Sequence, residues 1–568
     1  MKKKSVLNQI KDFCIRLLNI NSWMLFISIV VGMVSCILTK FENNWDFMNY
    51  HYYNPWALLN GRMNYEIVPA GVNTFFNPIL DFIPYGLIQL FNQQPSLYYA
   101  GQGIVFGLLI FVFWKLASLF FNNKTITGCM LSLLSTVCAI TGYGTWFQSG
   151  SSTGEIPLAI FGILALYLIF KMLKSPEKQT IKGFLLAGLI MGIALGLKPT
   201  IVYLCIATGL SLMICYKHLN KPILFIVVFA LGGFLGFLLS NGWWMWKLWV
   251  SFENPVFPFA NEVIKSPYFD MFNYSDKRYI PNGYFKLIFP FVWMWGSLIT
   301  GAFAETSFLD MRGIFYYTLF FGFVCFLVFH LKKSRELYYN HPIESFLFVL
   351  ICLGYVLWLN IFSIYRYLII IEMICSIFFV KIWFLYKPKK DKSLISYSVI
   401  TIFVFSLFIS VPTQNAGWGN RKSDQTVWSV EPVNLPENTL IKLFDMPTAG
   451  ILPLIIKDDK SRAISFENST FITTSKTLRI SEMEGFNKLR KDILSSHDGP
   501  SIIITDAGAL KQNGKQRFLT VMKNDLENMY CRYLKTSLDE ERTIICVPYD
   551  LKDSILTNNN QNEELIFK

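Results

Sequence analysis

The sequence predicts a polytopic all-α membrane protein of about 11 transmembrane helices. Surface helices follow in the first outer loop, and a small extracytoplasmic α/β domain closes the chain. Three observations carry this. Hydrophobic residues make up 53% of the 568 residues and charged residues only 16%, against about 25% charged in ordinary soluble domains. Apolar runs of about 18 residues or more recur, the length that crosses a bilayer. From residue 413 onward the pattern changes. Acids and bases nearly balance there, and short β-rich runs such as SIIIT and RTIICVPY alternate with polar, helix-compatible stretches.

The net charge of +13 does not point to nucleic acid. The Lys and Arg residues cluster in short loops, as cytoplasmic anchoring of membrane helices requires. Most cysteines lie in or beside apolar runs, where they act as small hydrophobes. No CxxC or Cys/His spacing marks a zinc site. Cys531 and Cys546 sit apart, in the C-terminal region, where an oxidising compartment would let them pair.

Basic residues set the sidedness of each span. Lys2, Lys3, Lys4, Lys11 and Arg16 put the N-terminus in the cytoplasm, and no small-residue cleavage site ends the first apolar run. The first span covers 23–38. Others cover 97–120, 127–143, 156–170 and 183–197, and a sixth ends before YKHLNK. Span seven, 223–240, runs into the Trp-rich GWWMWKLWV, which suits an interfacial helix. The segment 284–303 is apolar enough to cross, but crossing would carry HLKKSRELYYNHP outside, so a re-entrant placement is expected. Spans at 313–330, 343–362, 367–384 and 394–410 complete the set. Residues 1–412 form the transmembrane domain and 413–568 the extracytoplasmic soluble one. Gly192 with Gly196, and Gly232 with Gly236, give small-xxx-small spacing for close helix packing.

Candidate chemistry falls on the extracytoplasmic face. The first outer loop, 41–95, carries Glu42, Asn43, Asn44, Asp46, Asn49 and His51 among aromatic and prolyl residues. Binding and catalytic groups concentrate on loops held by rigid scaffolds. Asp46 is the candidate general base, the plain alternative being a helix cap. His51 is a candidate ligand or proton partner. Glu155, which opens span four, is the third catalytic candidate, positioning acceptor or donor, the plain alternative being that a helix N-terminus favours a carboxylate in any case. Lys198, before Pro199 in GLKPT, is a phosphate candidate or a snorkelling lysine. Arg366 and Tyr367 stand at the junction of the ninth and tenth spans, and Arg grips phosphate bidentately. Glu372 lies about 9 Å further along that helix and could simply pair with Arg366. Glu305 and Arg312 complete the substrate-binding set, with local pairing, Asp310 included, as the alternative. Carboxylates would activate a hydroxyl, and cations would neutralise charge on a departing phosphate.

These features together resemble the GT-C superfamily of integral membrane glycosyltransferases, which use lipid-linked sugar donors. The resemblance rests on Asp46 in NNWDFMNYH after the first span and Glu155 in a later outer loop. It rests also on Arg366–Tyr367 followed by Glu372, and on an extracytoplasmic C-terminal domain. It covers about 22–410 and is architectural. It implies an inverting transfer from a polyprenyl-phosphate sugar to a glycan, lipid or protein acceptor, in a plasma (inner) membrane, with the first-loop acid as base. Many members carry adjacent acids in this loop, whereas Phe47 follows Asp46 here. A divalent metal is compatible with the loop but no acidic pair asks for one. The alternatives are an O-antigen polymerase or ligase, which tends to rely on Arg-rich outer loops, and a lipid-linked glycan transporter or flippase. A transporter would place its ionisable groups near the bilayer midplane, often with inverted repeats.

Overall fold

Long apolar runs free of interior proline, and β-branched runs in the tail, fix the two kinds of structure seen. A computed structural model describes residues 21–39, 43–121, 123, 125–270, 279–289, 291, 308–310, 312–385, 411–412, 418–419, 425–467, 469–473, 476–479, 483–510, 514–539, 541–556 and 564–565. The chain divides into two compact units, one of 1–39, 100–242 and 279–416, the other of 40–99, 243–278 and 417–568.

The apolar helices are α1 (Asn21–Thr39), α2 (Pro95–Phe120), α3 (Ile126–Ile140), α4 (Glu155–Lys174) and α5 (Ile181–Leu197). They continue as α6 (Val202–Ile214), α7 (Pro222–Phe252), α8 (Arg312–Phe329), α9 (Pro342–Ile361) and α10 (Ile369–Leu385). Helices thus stand at each expected span position from 23–38 to 367–384. Among the described residues six of them, α1, α2, α4, α7, α8 and α9, are long and apolar enough to cross a membrane. The expected span at 394–410 and most of 284–303 lie outside the described residues.

In the first unit α4 packs on α5, α6 on α9, and α3 on α10. The α5–α7 contact explains the glycine spacing. A Cβ at Gly192 would strike the Gly233 carbonyl, one at Gly232 the Leu185 carbonyl, and one at Gly236 the Leu189 carbonyl. The two backbones touch, as small residues at helix interfaces allow.

The Trp-rich stretch continues the helix of the seventh span, because α7 runs unbroken for 31 residues, about 46 Å. That exceeds the roughly 30 Å hydrocarbon core. At its C-terminal end Trp244, Leu248 and Phe252 recur every fourth residue and are buried with Phe75, Phe257, Phe269 and Phe486. Trp246, Trp249 and Val250 lie on the exposed side.

The second unit is built on a five-stranded sheet of β1 (Leu440–Phe444), β2 (Arg462–Glu467), β3 (Ser501–Asp506), β4 (Met529–Leu534) and β5 (Thr543–Pro548), in the order β4-β5-β3-β1-β2. β1 runs parallel to β2 and β3, while β5 runs antiparallel to β3 and β4. Every residue of β1 is buried, as expected of a central parallel strand covered on both faces. Helices α11 (Glu484–Ser496) and α12 (Lys515–Leu526) contribute Phe486, Phe518 and Met522 to the cores. Cys531 and Cys546 face each other across the β4–β5 ladder and are disulfide-bonded.

The first outer loop joins this sheet. Ile67 forms a parallel bridge with Ile464 of β2, with Ile67 N donating to Ala463 O and Ser465 N to Ile67 O, each at 3.0 Å. Buried Arg62 donates to Glu66 Oε1 at 2.7 Å, to Asp458 O at 3.3 Å and to Ser461 O. The Glu66 Oε2 atom accepts from Ala463 N.

Candidate active site

In the membrane-helix unit, the loop before α4 turns into the helix through Gly154 at φ 83°, a left-handed conformation that suits glycine. This puts Glu155 at the first position of α4, 4% exposed. Lys198 ends α5, because Pro199 cannot continue it. Its Nζ lies 2.5 Å from Glu155 Oε1 and donates to Thr153 O at 2.6 Å. Lys198 is therefore turned onto Glu155 instead of snorkelling. The other carboxylate oxygen, Glu155 Oε2, is buried and has no hydrogen-bond partner among the described residues. Tyr367 closes the group. Lys198 Nζ lies 5.8 Å and Arg366 Cζ 5.2 Å from the centre of its ring, and its carbonyl accepts from Tyr203 OH at 2.7 Å.

A second polar group in the same unit holds Glu372 and Arg312. Glu372 accepts from Tyr365 OH at 2.5 Å and from Thr145 Oγ1 at 3.4 Å. Arg312, 2% exposed, donates from Nε to both Asp310 oxygens (2.8 and 3.0 Å) and from Nη2 to Asp310 Oδ2 at 2.6 Å. It also donates to Cys138 O at 3.2 Å and Thr141 Oγ1 at 3.0 Å. These bonds hold the start of α8 against the end of α3. Glu305 lies outside the described residues.

In the second unit, Asp46 precedes and His51 ends a short π-helix, Phe47–His51. Asp46 is buried and makes no capping bond with its side chain. Asn44 does that instead, its Oδ1 accepting from Phe47 N at 2.7 Å. His51 Nδ1 lies 2.6 Å from Asp81 Oδ1, with both side chains buried. Asn49 Nδ2 donates to Ala70 O at 3.2 Å and Asn54 Nδ2 to Asn73 O at 2.9 Å. Nearby, burial pushes the Glu66 carboxyl up to about 7, against the opposing pull of Arg62.

Sequence reasoning missed Asp81, Tyr365 and Thr153. Asp81 stands in NPILD, where Asn77 caps a turn by accepting from Ile79 N at 3.2 Å. Nothing in that motif signals a histidine thirty positions earlier. Among the described residues no group of three or more His, Cys, Asp or Glu is placed to hold a metal ion.

Buried acids beside cations on apolar helices are costly and mark functional cavities. Comparison with known families gives this a class. Residues 77–246 match the family model for dolichyl-phosphate-mannose-protein mannosyltransferase, a family of the GT-C superfamily of glycosyltransferases. That match implies a membrane glycosyltransferase of the GT-C type. The matched stretch contains Asp81, Glu155 and Lys198. No curated protein matches the chain.

Proposed function

We propose that this chain is an inverting glycosyltransferase that moves a sugar from a polyprenyl-phosphate donor to a glycan, lipid or protein acceptor on the extracytoplasmic face of a plasma (inner) membrane. The family match over 77–246 carries this reading. In the proposed chemistry an acceptor hydroxyl attacks the anomeric carbon. A new bond forms from that oxygen to carbon, and the carbon–oxygen bond to phosphate breaks. Polyprenyl phosphate leaves with the electron pair. Asp46 takes the hydroxyl proton. Lys198 and Arg366, with Tyr367, offset the charge on the leaving phosphate. Glu155 orients a substrate hydroxyl through Oε2, and His51 positions the acceptor or donor. Glu372, Glu305 and Arg312 complete the substrate-binding set.

About eleven spans, a cytoplasmic N-terminus and an extracytoplasmic domain at 413–568 belong to the same proposal. Two observations support its sidedness. The Cys531–Cys546 disulfide suits an oxidising compartment. The first outer loop, 243–278 and the C-terminal sheet fall in one compact unit, as segments on one side of a membrane can.

The test is Asp46→Asn, assayed with a polyprenyl-phosphate-linked hexose in proteoliposomes. Transfer falls about 100-fold or more when a general base is removed. Near wild-type transfer by a well-folded variant overturns the base assignment.

A further inference from the structure

The first outer loop carries buried acceptor atoms that no described residue satisfies. Asn49 and Asn54 are fully buried. Each donates from Nδ2 to a backbone carbonyl, of Ala70 and Asn73 respectively, and Asn49 Nδ2 donates also to Met446 Sδ at 3.7 Å. Those two carbonyls lie three residues apart on one turn, so both side chains meet the same short segment. Their Oδ1 atoms are left buried and without a partner among the described residues, and so is His51 Nε2.

The state of His51 follows from its other nitrogen. A carboxylate accepts only, so Nδ1 must donate to Asp81 across 2.6 Å. In the neutral ring Nε2 then carries a lone pair. With that ring neutral, Asn49, His51 and Asn54 offer three lone-pair acceptors within six positions of sequence. Unsatisfied acceptors at such depth are costly to leave without a partner. Partner groups must be donors. Phosphate oxygens would meet lone pair with lone pair. A divalent cation favours carboxylates, and none of these three side chains is a carboxylate. Hydroxyl groups of a neutral sugar supply the donors that fit.

We infer that Asn49, His51 and Asn54 form a subsite for the hydroxyls of a neutral sugar, and that Asp81 is a positioning residue that fixes the His51 tautomer. This rests on the transferase reading and sharpens it, since it assigns this part of the loop to carbohydrate and not to phosphate. Asp81 touches no reacting atom. It acts by keeping Nε2 free to accept.

The test uses the full-length protein in lipid nanodiscs with nitrogen-15 histidine. The chain has 5 histidines, and His51→Gln identifies the resonance. In mildly alkaline buffer His51 reads as the Nδ1-protonated tautomer, and Asp81→Asn shifts it toward the Nε2-protonated form. Methyl mannoside moves the His51 Nε2 resonance, whereas inorganic phosphate and magnesium ion do not. An unmoved resonance with mannoside overturns the subsite, and so does a response to phosphate or magnesium. The mannoside titration needs only wild-type protein, so poor folding of Asp81→Asn leaves it readable. An unchanged tautomer in folded Asp81→Asn overturns the positioning role. In transfer assays with polyprenyl-phosphate mannose, Asp81→Asn raises KM about tenfold, the worth of roughly one hydrogen bond, with a smaller change in kcat. A loss in kcat alone overturns the substrate-orienting role. If wild-type protein transfers no sugar yet mannoside moves His51, the transferase reading fails while the subsite stands.

Discussion

The junction of the first outer loop with β2 is expected to loosen as pH rises. Glu66 is buried between Arg62 and the Ala463 amide, and burial raises its pKa from 4.5 to about 7. When the junction opens, the carboxyl is solvated and returns to its ordinary value. Below about 4.5 both states hold the proton and pH has no effect. Between 4.5 and about 7 the open state loses its proton while the closed state keeps it, so opening becomes easier. Above that range the effect levels off. At about 1.4 kcal/mol per pH unit the full loss is about 3 kcal/mol. The reporters are the Ile67 and Ser465 amides, which bond across the junction. Their hydrogen exchange, corrected for intrinsic rate, should show opening free energy falling by about that amount from mildly acidic to neutral pH. Glu66→Gln should flatten the slope, whatever it does to stability at a single pH. Protection that rises with pH, or a slope that persists in Glu66→Gln, refutes the reasoning. Either would mean that Arg62 outweighs desolvation.

Other outcomes follow from the same geometry. Lys198→Met leaves the Glu155 carboxylate buried without its cation and should cost about 3–5 kcal/mol, read as a fall in thermal stability in detergent. The double variant with Glu155→Gln should recover much of it, and additive losses would deny the pair any coupling. Replacing Cys531 and Cys546 by Ser opens a loop closed over a separation of 15 residues. It should destabilise the sheet by about 3 kcal/mol, measured as lower denaturant resistance of that domain. Gly192→Leu drives a side chain into the Gly233 carbonyl. It should cost at least about 1–3 kcal/mol, and unchanged melting would show that the α5–α7 approach is looser than described.

The helices were legible because their signal is local. A run such as ILFIVVFALGGFLGFLLS can satisfy its backbone in a bilayer only as a helix, whatever surrounds it. The glycine spacing was legible for the same reason, since a close helix approach needs small residues on one face. The continuity of α7 into the Trp-rich stretch was not legible, because nothing local decides whether a helix stops at the membrane edge. What carries it on is the burial of Trp244, Leu248 and Phe252 against Phe75 and Phe486, residues far apart in sequence.

The candidate site divides the same way. Residue type and sidedness singled out Asp46, His51, Glu155, Lys198 and Arg366, because charges are rare in such a chain and their loops share a predicted face. Which groups partner which was not legible. Lys198 binds Glu155 across 43 positions, and Glu372 takes Tyr365. Composition and periodicity alone determined that this is a helical membrane protein with a mixed C-terminal domain, since solvent transfer acts on each segment independently. Only the tertiary structure decided that Asp81 holds His51, and that the first outer loop is bolted to the C-terminal sheet through Arg62, Glu66 and Ile67. Hydrogen bonds and ion pairs depend on distances of a few tenths of an ångström between distant segments, and no local pattern encodes those.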